Sequence, residues 1–369
     1  MMNFRPKIFS FFAGSGFLDL GFETSGFDVV YVNEIFAPFM DAYRYSRASL
    51  DLKEPKYGYD ESDVRKLVED ADARRFREIV EDCRKSSHII GFIGGPPCPD
   101  FSVGGKNRGY LGDNGQLSSV YIELICHTRP DFFLFENVKG LWKTKKHRLF
   151  YDSLKLKLQE AGYVLSERLI NAIEYGVPQN RERIILIGFQ KGLFKLQKIK
   201  WSDYILYPQD KVFSLPWSQS DLFKANSQLL CPQSIIQELT VEYWFLKNNV
   251  LNHPHAKHYF KPKAGIDKMS AIAEGDDSRK SFKRLHRWRY SPTACYGNNE
   301  VHLHPYQVRR ISVAEALAIQ SLPANFLLPD NMSLTNMFKT IGNGVPYLAS
   351  KAIAKSILDL INTNYRTHI

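Results

Sequence analysis

Cysteine is scarce in this chain and poorly arranged for cross-linking. The five residues, Cys83, Cys98, Cys126, Cys231 and Cys295, are odd in number, widely spread and form no Cys-x-x-Cys pair. That argues against a disulfide framework or a zinc site built on cysteine, and for a reducing compartment. No apolar run approaches the ~20 residues of a membrane span. Internal repeats and low-complexity tracts are lacking as well. The opening "MMNFRPKIFSFFAGSG" holds an apolar piece too short for a signal peptide and runs straight into a glycine turn, so it reads as the first strand of a cytosolic protein.

What is present is an ordinary globular composition. The chain has 369 residues, 44% apolar and 24% charged, enough for one large or two medium domains with a full core. Its formal net charge of +10 suggests a polyanionic partner.

Short β-prone runs alternate with helical patterns through the first half. Strands are expected at Lys7–Ala13, Val29–Asn33, His88–Ile93, Asp131–Glu136 and Arg183–Phe189. Helices are expected at Leu18–Ser25, Val64–Lys85, Ser118–Thr128 and Leu149–Ala161. This alternation predicts an α/β fold with a doubly wound, mostly parallel sheet, whose sites lie beyond the carboxyl ends of the strands. Beyond residue 190 the periodicity dissolves, and a smaller irregular domain is expected over 191–334. Ser312 and Glu315 form a capping box there. The amphipathic segment at about 335–369 is expected to return to the first domain, 1–190, because alone it would leave its apolar face in water.

Several polar residues follow strands. In "FFAGSGFLDLGF", Gly14 and Gly16 allow a tight turn and close approach of a ligand to the backbone. Glu34 closes the second strand, where an acid can accept hydrogen bonds from ribose hydroxyls. These residues do not separate a nicotinamide dinucleotide from S-adenosylmethionine. Cys98 follows Gly94-Gly95-Pro96-Pro97 at a strand end, as packing, ligand or nucleophile; as a nucleophile it must be a thiolate. Glu136 follows "DFFLF" at the same edge, where apolar surroundings raise a carboxyl pKa. Arg181 and Arg183, two apart at strand period, share a face and can hold an anion or a carbonyl oxygen. His253, His255 and His258 lack an acid or cysteine at ligand spacing and read as loop histidines, so no metal is expected.

Taken together, these motifs resemble the DNA cytosine-5 methyltransferases. The resemblance rests on Phe12–Gly16, Glu34, Asp63 in "SDVRK", Pro97-Cys98, Glu136–Val138 and Gln179-x-Arg181-x-Arg183. It continues in "RRISVAEALAIQSLP" and in Gly342–Val345. It covers residues 4–190 and about 291–360, not the stretch between. There are departures: Ser10 stands where the family usually carries Asp, Phe17 where it carries a second Gly, Pro99-Asp100 where Gln follows the cysteine, and Asn114 where Arg is usual in the mobile loop.

The resemblance implies a Rossmann-like methyltransferase with a target-recognition domain. S-adenosylmethionine, leaving as S-adenosylhomocysteine, would be held by Phe12, Ala13, Gly14, Gly16, Phe17, Glu34, Asp63, Pro96, Asn343 and Val345. It implies that Cys98 adds to cytosine C6, Glu136 holds N3 and the amine, Arg183 holds O2 and Arg181 supports it. The base would be flipped out of duplex DNA beneath a mobile loop, Ser102–Gly115. DNA contacts are expected from Ser102, Lys106 and Arg108 in that loop, and from Lys280, Lys283, Arg284, Arg287 and Arg289 in "KSFKRLHRWRY". The compact layout suggests a prokaryotic, cytoplasmic, nucleoid-associated monomer. A restriction endonuclease would act on the same site without stable binding. A tRNA cytosine methyltransferase and a catalytically silent DNA-binding relative are the alternatives within the family, and a nicotinamide oxidoreductase is the alternative outside it.

Overall fold

The structure, a computed structural model, describes residues 5–87, 89–97, 113–195, 201, 204–262, 265–279, 281–296 and 300–365. Its centre is one sheet made of β1 (Lys7–Phe11), β2 (Asp28–Asn33), β3 (Tyr59–Asp60), β4 (Ile90–Gly94), β5 (Phe132–Val138), β6 (Tyr163–Asn171) and β7 (Glu182–Gln190), in the order β3-β2-β1-β4-β5-β7-β6. The first five strands pair in parallel, whereas β7 is antiparallel to both β5 and β6. Parallel neighbours need crossovers, so helices cover both faces and the strands are apolar on both sides. The expected α/β fold with a mostly parallel sheet is what forms.

On one face Ile8, Val32, Ile93, Leu134, Ile185 and Ile187 pack beneath α1 (Phe17–Glu23) and α12 (Tyr347–Asn364). On the other, Phe9, Phe11, Phe92, Phe133 and Phe135 meet α3 (Asp70–Ser86), α4 (Asp113–Thr128) and α6 (Lys145–Glu160). The short α5 (Lys139–Lys143) joins β5 to α6. The elements not expected from the sequence include α2 (Ala37–Ser49), the short strand β3 and the edge strand β6. The expected helix Val64–Lys85 is instead a single tight turn, Val64–Leu67, followed by α3.

Residues 204–312 contribute no strand to the sheet among those described. They hold the short helices α7 (Gln209–Phe213), α8 (Val241–Lys247) and α9 (Ile266–Ser270), and isolated bridges pair Asp221 with Glu274 and Leu303 with Arg284 and Arg310. Chain order then gives α10 (Val313–Ile319) and α11 (Leu334–Asn343). The apolar cluster around α10 includes Trp244 and Phe245 of α8, but also Phe17 and Leu20 of α1 and Ala42 of α2.

Phe17 accounts for one departure from the family pattern. Its ring is buried, meets Phe326 edge-on at 5.0 Å, and occupies the space a Cβ on Gly344 would need, 2.2 Å away. A glycine at 344 therefore makes room for a phenylalanine at 17. Among the described residues no helix is long and apolar enough to cross a membrane.

Because α12 is the lid over one sheet face, its apolar side chains carry much of that core. Ile357 is fully buried there. Ile357→Ala should lower the unfolding free energy by about 2–5 kcal/mol, measured by urea denaturation. A loss below ~1 kcal/mol would show that this helix is not part of the core.

Candidate active site

The carboxyl ends of β1, β2, β4 and β5 converge on one edge, and the residues that follow them form two adjoining sets. The first surrounds the turn after β1. Phe12, Gly14 and Gly16 all have positive φ, at 53°, 57° and 77°, which lifts the chain away from the sheet. Glu34, one residue beyond β2, closes the turn: the Gly14 amide donates to Oε2 at 2.9 Å and the Phe36 amide to Oε1 at 2.8 Å. Burial raises its pKa, while these amides and Lys339 pull the other way. Ser15 Oγ and Thr340 Oγ1 lie 2.7 Å apart, fastening the turn to α11. Ser10, the second departure, donates to the buried Asp19, which also accepts from Tyr43.

The other expected cofactor residues are placed less uniformly. Asp63 caps its own turn by accepting from the Arg65 amide at 3.0 Å and pairs with that guanidinium at 2.8 Å. Pro96 is buried, and its carbonyl accepts from Asn137 Nδ2 at 3.4 Å. Asn343 is exposed at the end of α11, whereas Val345 is buried in the core. Ala13 is half-buried and packs against the sheet-face core.

The second set lies at the ends of β4 and β5. Glu136 is nearly buried, and its Oε1 is 3.0 Å from Arg183 Nε. Antiparallel pairing of β5 with β7, which sets Val138 opposite Arg183, brings the two side chains together. Burial raises the Glu136 pKa, opposed by Arg183 and then Arg181. A Cβ on Gly95 would lie 2.8 Å from Glu136 Oε2, so the chain leaving β4 passes directly against the carboxylate. Cys98, Ser102, Lys106 and Arg108 lie outside the described residues, as does Lys280.

Arg181 is buried and has a different occupation from Arg183. Its Nη1 donates to Ala294 O at 3.1 Å and its Nη2 to Gly342 O at 2.9 Å. Burial and the charge of Arg183 depress its pKa. Gln179 works beside it, receiving the Ala294 amide at 3.0 Å and donating to Gln320 at 3.2 Å. Together they tie the start of β7 to residues 294, 320 and 342.

The expected basic face of the irregular region needs correction. Arg284 is fully buried: it donates to the carbonyls of Met269, Ile272, His304 and Gln307, under the Phe223 ring. Arg287 is buried against Glu274 at 2.8 Å and donates to Ser227 O at 2.6 Å. Arg289 donates to Gln219 O and Gly275 O, each at 3.0 Å. A region with few ladders leaves its carbonyls unpaired, and these forks supply the missing donors. Of that set only Lys283 is described without such internal bonds, and it is half-buried.

The histidines are internally matched. His255 Nε2 accepts from the Leu328 amide at 3.0 Å, which puts its proton on Nδ1, 2.9 Å from His258 Nδ1. The acid that the sequence did not show beside them is Asp330, 4.0 Å from His255 Nδ1. A cation there would have to displace this proton, so the donor set does not favour a metal.

A profile of the C-5 cytosine-specific DNA methylases matches residues 6–359. The chain is 55% identical over 362 residues to the Type II methyltransferase M.NmeDI of Neisseria meningitidis serogroup C, covering 98% of this chain and 85% of that one. Among solved structures, a protein encoded within an E. coli prophage is similar with a TM-score of 0.62, at 22% identity over 97% of this chain and 99% of that one. The S. pombe Dnmt2 methyltransferase is similar with a TM-score of 0.59, at 14% identity over the same shares. These two likenesses establish the fold.

Removing the Arg181 fork should loosen this architecture. Arg181→Met is expected to cost about 3 kcal/mol in urea denaturation, since two carbonyls lose charged donors. A cost under ~0.5 kcal/mol would mean the guanidinium is not a tie.

Proposed function

The chain belongs to the C-5 cytosine-specific DNA methylase family, and we propose that it methylates one cytosine within a specific duplex sequence through a covalent Cys98 adduct. It would serve as the modification partner of a restriction endonuclease that reads the same site. The observation that carries this reading is the contact of buried Glu136 with half-buried Arg183, set beside the segment that leads into Cys98.

The chain has a cradle suited to S-adenosylmethionine. Gly14 has a left-handed backbone with only Thr340 Oγ1, 4.0 Å away, near where a side chain would stand, and each Glu34 oxygen that receives an amide retains a lone pair for a ribose hydroxyl. When bound, the cofactor supplies an electrophilic methyl group on a sulfonium. All other steps belong to the residues. Cytosine C5 is a weak nucleophile until a thiolate adds at C6. Glu136, with its pKa raised by burial, can present a proton to N3 and accept from the exocyclic amine. Arg183 can turn from Glu136 to O2, so negative charge developing on the ring meets an adjacent cation. With the ring now an enamine, C5 takes the methyl group. Loss of the C5 proton to a base then expels Cys98 and restores the aromatic ring.

These atoms are hidden in a duplex, so the target base must leave the stack. We take residues 191–334 as the target reader and residues 102–112, the part of the expected loop that precedes α4, as the segment that closes on the extruded base. The protein would act as a monomer on cytoplasmic DNA.

Bisulfite sequencing of DNA from cells expressing the protein tests the reading. Protected cytosines should occur in one sequence context and vanish with Cys98→Ser. No context-specific protection, or methylation confined to tRNA, would contradict it.

A further inference from the structure

We propose that Arg47 is a positioning residue for S-adenosylmethionine: its guanidinium holds the Ser15 and Gly16 carbonyls, and through them sets the turn that receives the cofactor. The inference rests on reading residues 12–16 and Glu34 as the cofactor cradle.

Arg47 lies near the end of α2 and is 2% exposed, so it adds nothing to the surface charge. Its Nη2 donates to Gly16 O at 2.7 Å and its Nη1 approaches Ser15 O at 3.4 Å. Glu23, at the end of α1, takes Nη2 at 2.7 Å and Nε at 3.4 Å. Ser46 Oγ accepts from Nη1 at 3.2 Å, and the Tyr43 ring lies 4.0 Å beneath the guanidinium carbon. Tyr43 is fixed in turn by its bond to Asp19, which Ser10 also holds.

The contact with Gly16 is unusually close. A Cβ there would lie 2.4 Å from Arg47 Nη1. The cation therefore fills the volume a side chain would take, and Gly16 is required both by its φ of 77° and by Arg47. The N-terminus of α1 has no side-chain cap, which leaves the turn dependent on outside support. That support comes from three places: Glu34 on the Gly14 amide, Thr340 on Ser15, and Arg47 on the two carbonyls. A shift at Gly16 moves the Gly14 amide and with it the Glu34 carboxylate.

Lysine preserves the charge toward Glu23 but cannot span two carbonyls and a carboxylate, because it lacks the planar fork. Arg47→Lys should raise both the Kd and the KM for S-adenosylmethionine about tenfold, leaving kcat and the KM for DNA near wild type. Glu23→Gln removes the ion pair but keeps the fork on the turn. It should lower Tm while the calorimetric Kd stays within about twofold. Wild-type affinity in Arg47→Lys would overturn the proposal. So would equal losses in the two variants that follow Tm, since these would mark general destabilisation. Glu34→Gln separates the premise: if it too binds S-adenosylmethionine normally, the cradle itself is misassigned.

Discussion

A carboxylate with almost no water around it needs a cation, and the Glu136–Arg183 pair is the contact around which this sheet edge is organised. Desolvating both groups costs several kcal/mol each, which their attraction offsets only with good geometry. Here the geometry comes from backbone pairing. β5 carries the acid, and β7, running against it, brings the arginine alongside. An all-parallel arrangement would put the start of β7 at the opposite end of the sheet. The reversal of one strand thus has a chemical consequence: it delivers the cation to the acid. The same pair is suited to a pyrimidine edge, since an acid that can hold a proton and a fixed cation match N3 and O2.

Guanidinium groups recur as internal fasteners. Arg47 holds the turn after β1, Arg181 joins β7 to residues 294 and 342, and Arg284 and Arg287 draw together an irregular region with few ladders. All four are buried. These inward-facing cations are matched by buried acids such as Asp19, Glu34, Asp131 and Glu274, so burial decides which cations a polyanion meets rather than the net charge of +10. Attraction to phosphate depends on the cations that remain at the surface.

Much of the fold was legible in the sequence because alternating β and α periods report directly on which side chains face a core. β1, β2, β4, β5 and β7 all lie where apolar runs occur. The exceptions have local causes. β6 carries Ser166, Glu167 and Arg168 at its centre, since an edge strand can face charged partners such as Arg148 and Lys155. α2 carries Pro38 as its second residue and holds Phe39, Tyr43 and Tyr45, and aromatic residues are weak helix formers. At the site, Glu136 and Arg183 could be named from their motifs, and the structure puts them in contact. Arg47 could not, because nothing near it in the chain marks a partner 31 residues earlier. The run around Arg284 looked like an exposed basic face because composition does not show whether a cation finds phosphates or carbonyls.

In the proposed reaction Cys98 forms a bond to C6 of a cytosine held by Glu136 and Arg183. The most direct test is incubation with S-adenosylmethionine and duplex DNA carrying 5-fluorocytosine at the target position, followed by peptide mapping under denaturing conditions. Fluorine at C5 cannot leave as a proton does, so the covalent intermediate should persist. A stable one-to-one adduct is expected on the peptide containing Cys98, and none in Cys98→Ser. No adduct, or an adduct on another residue such as Cys295, would contradict it.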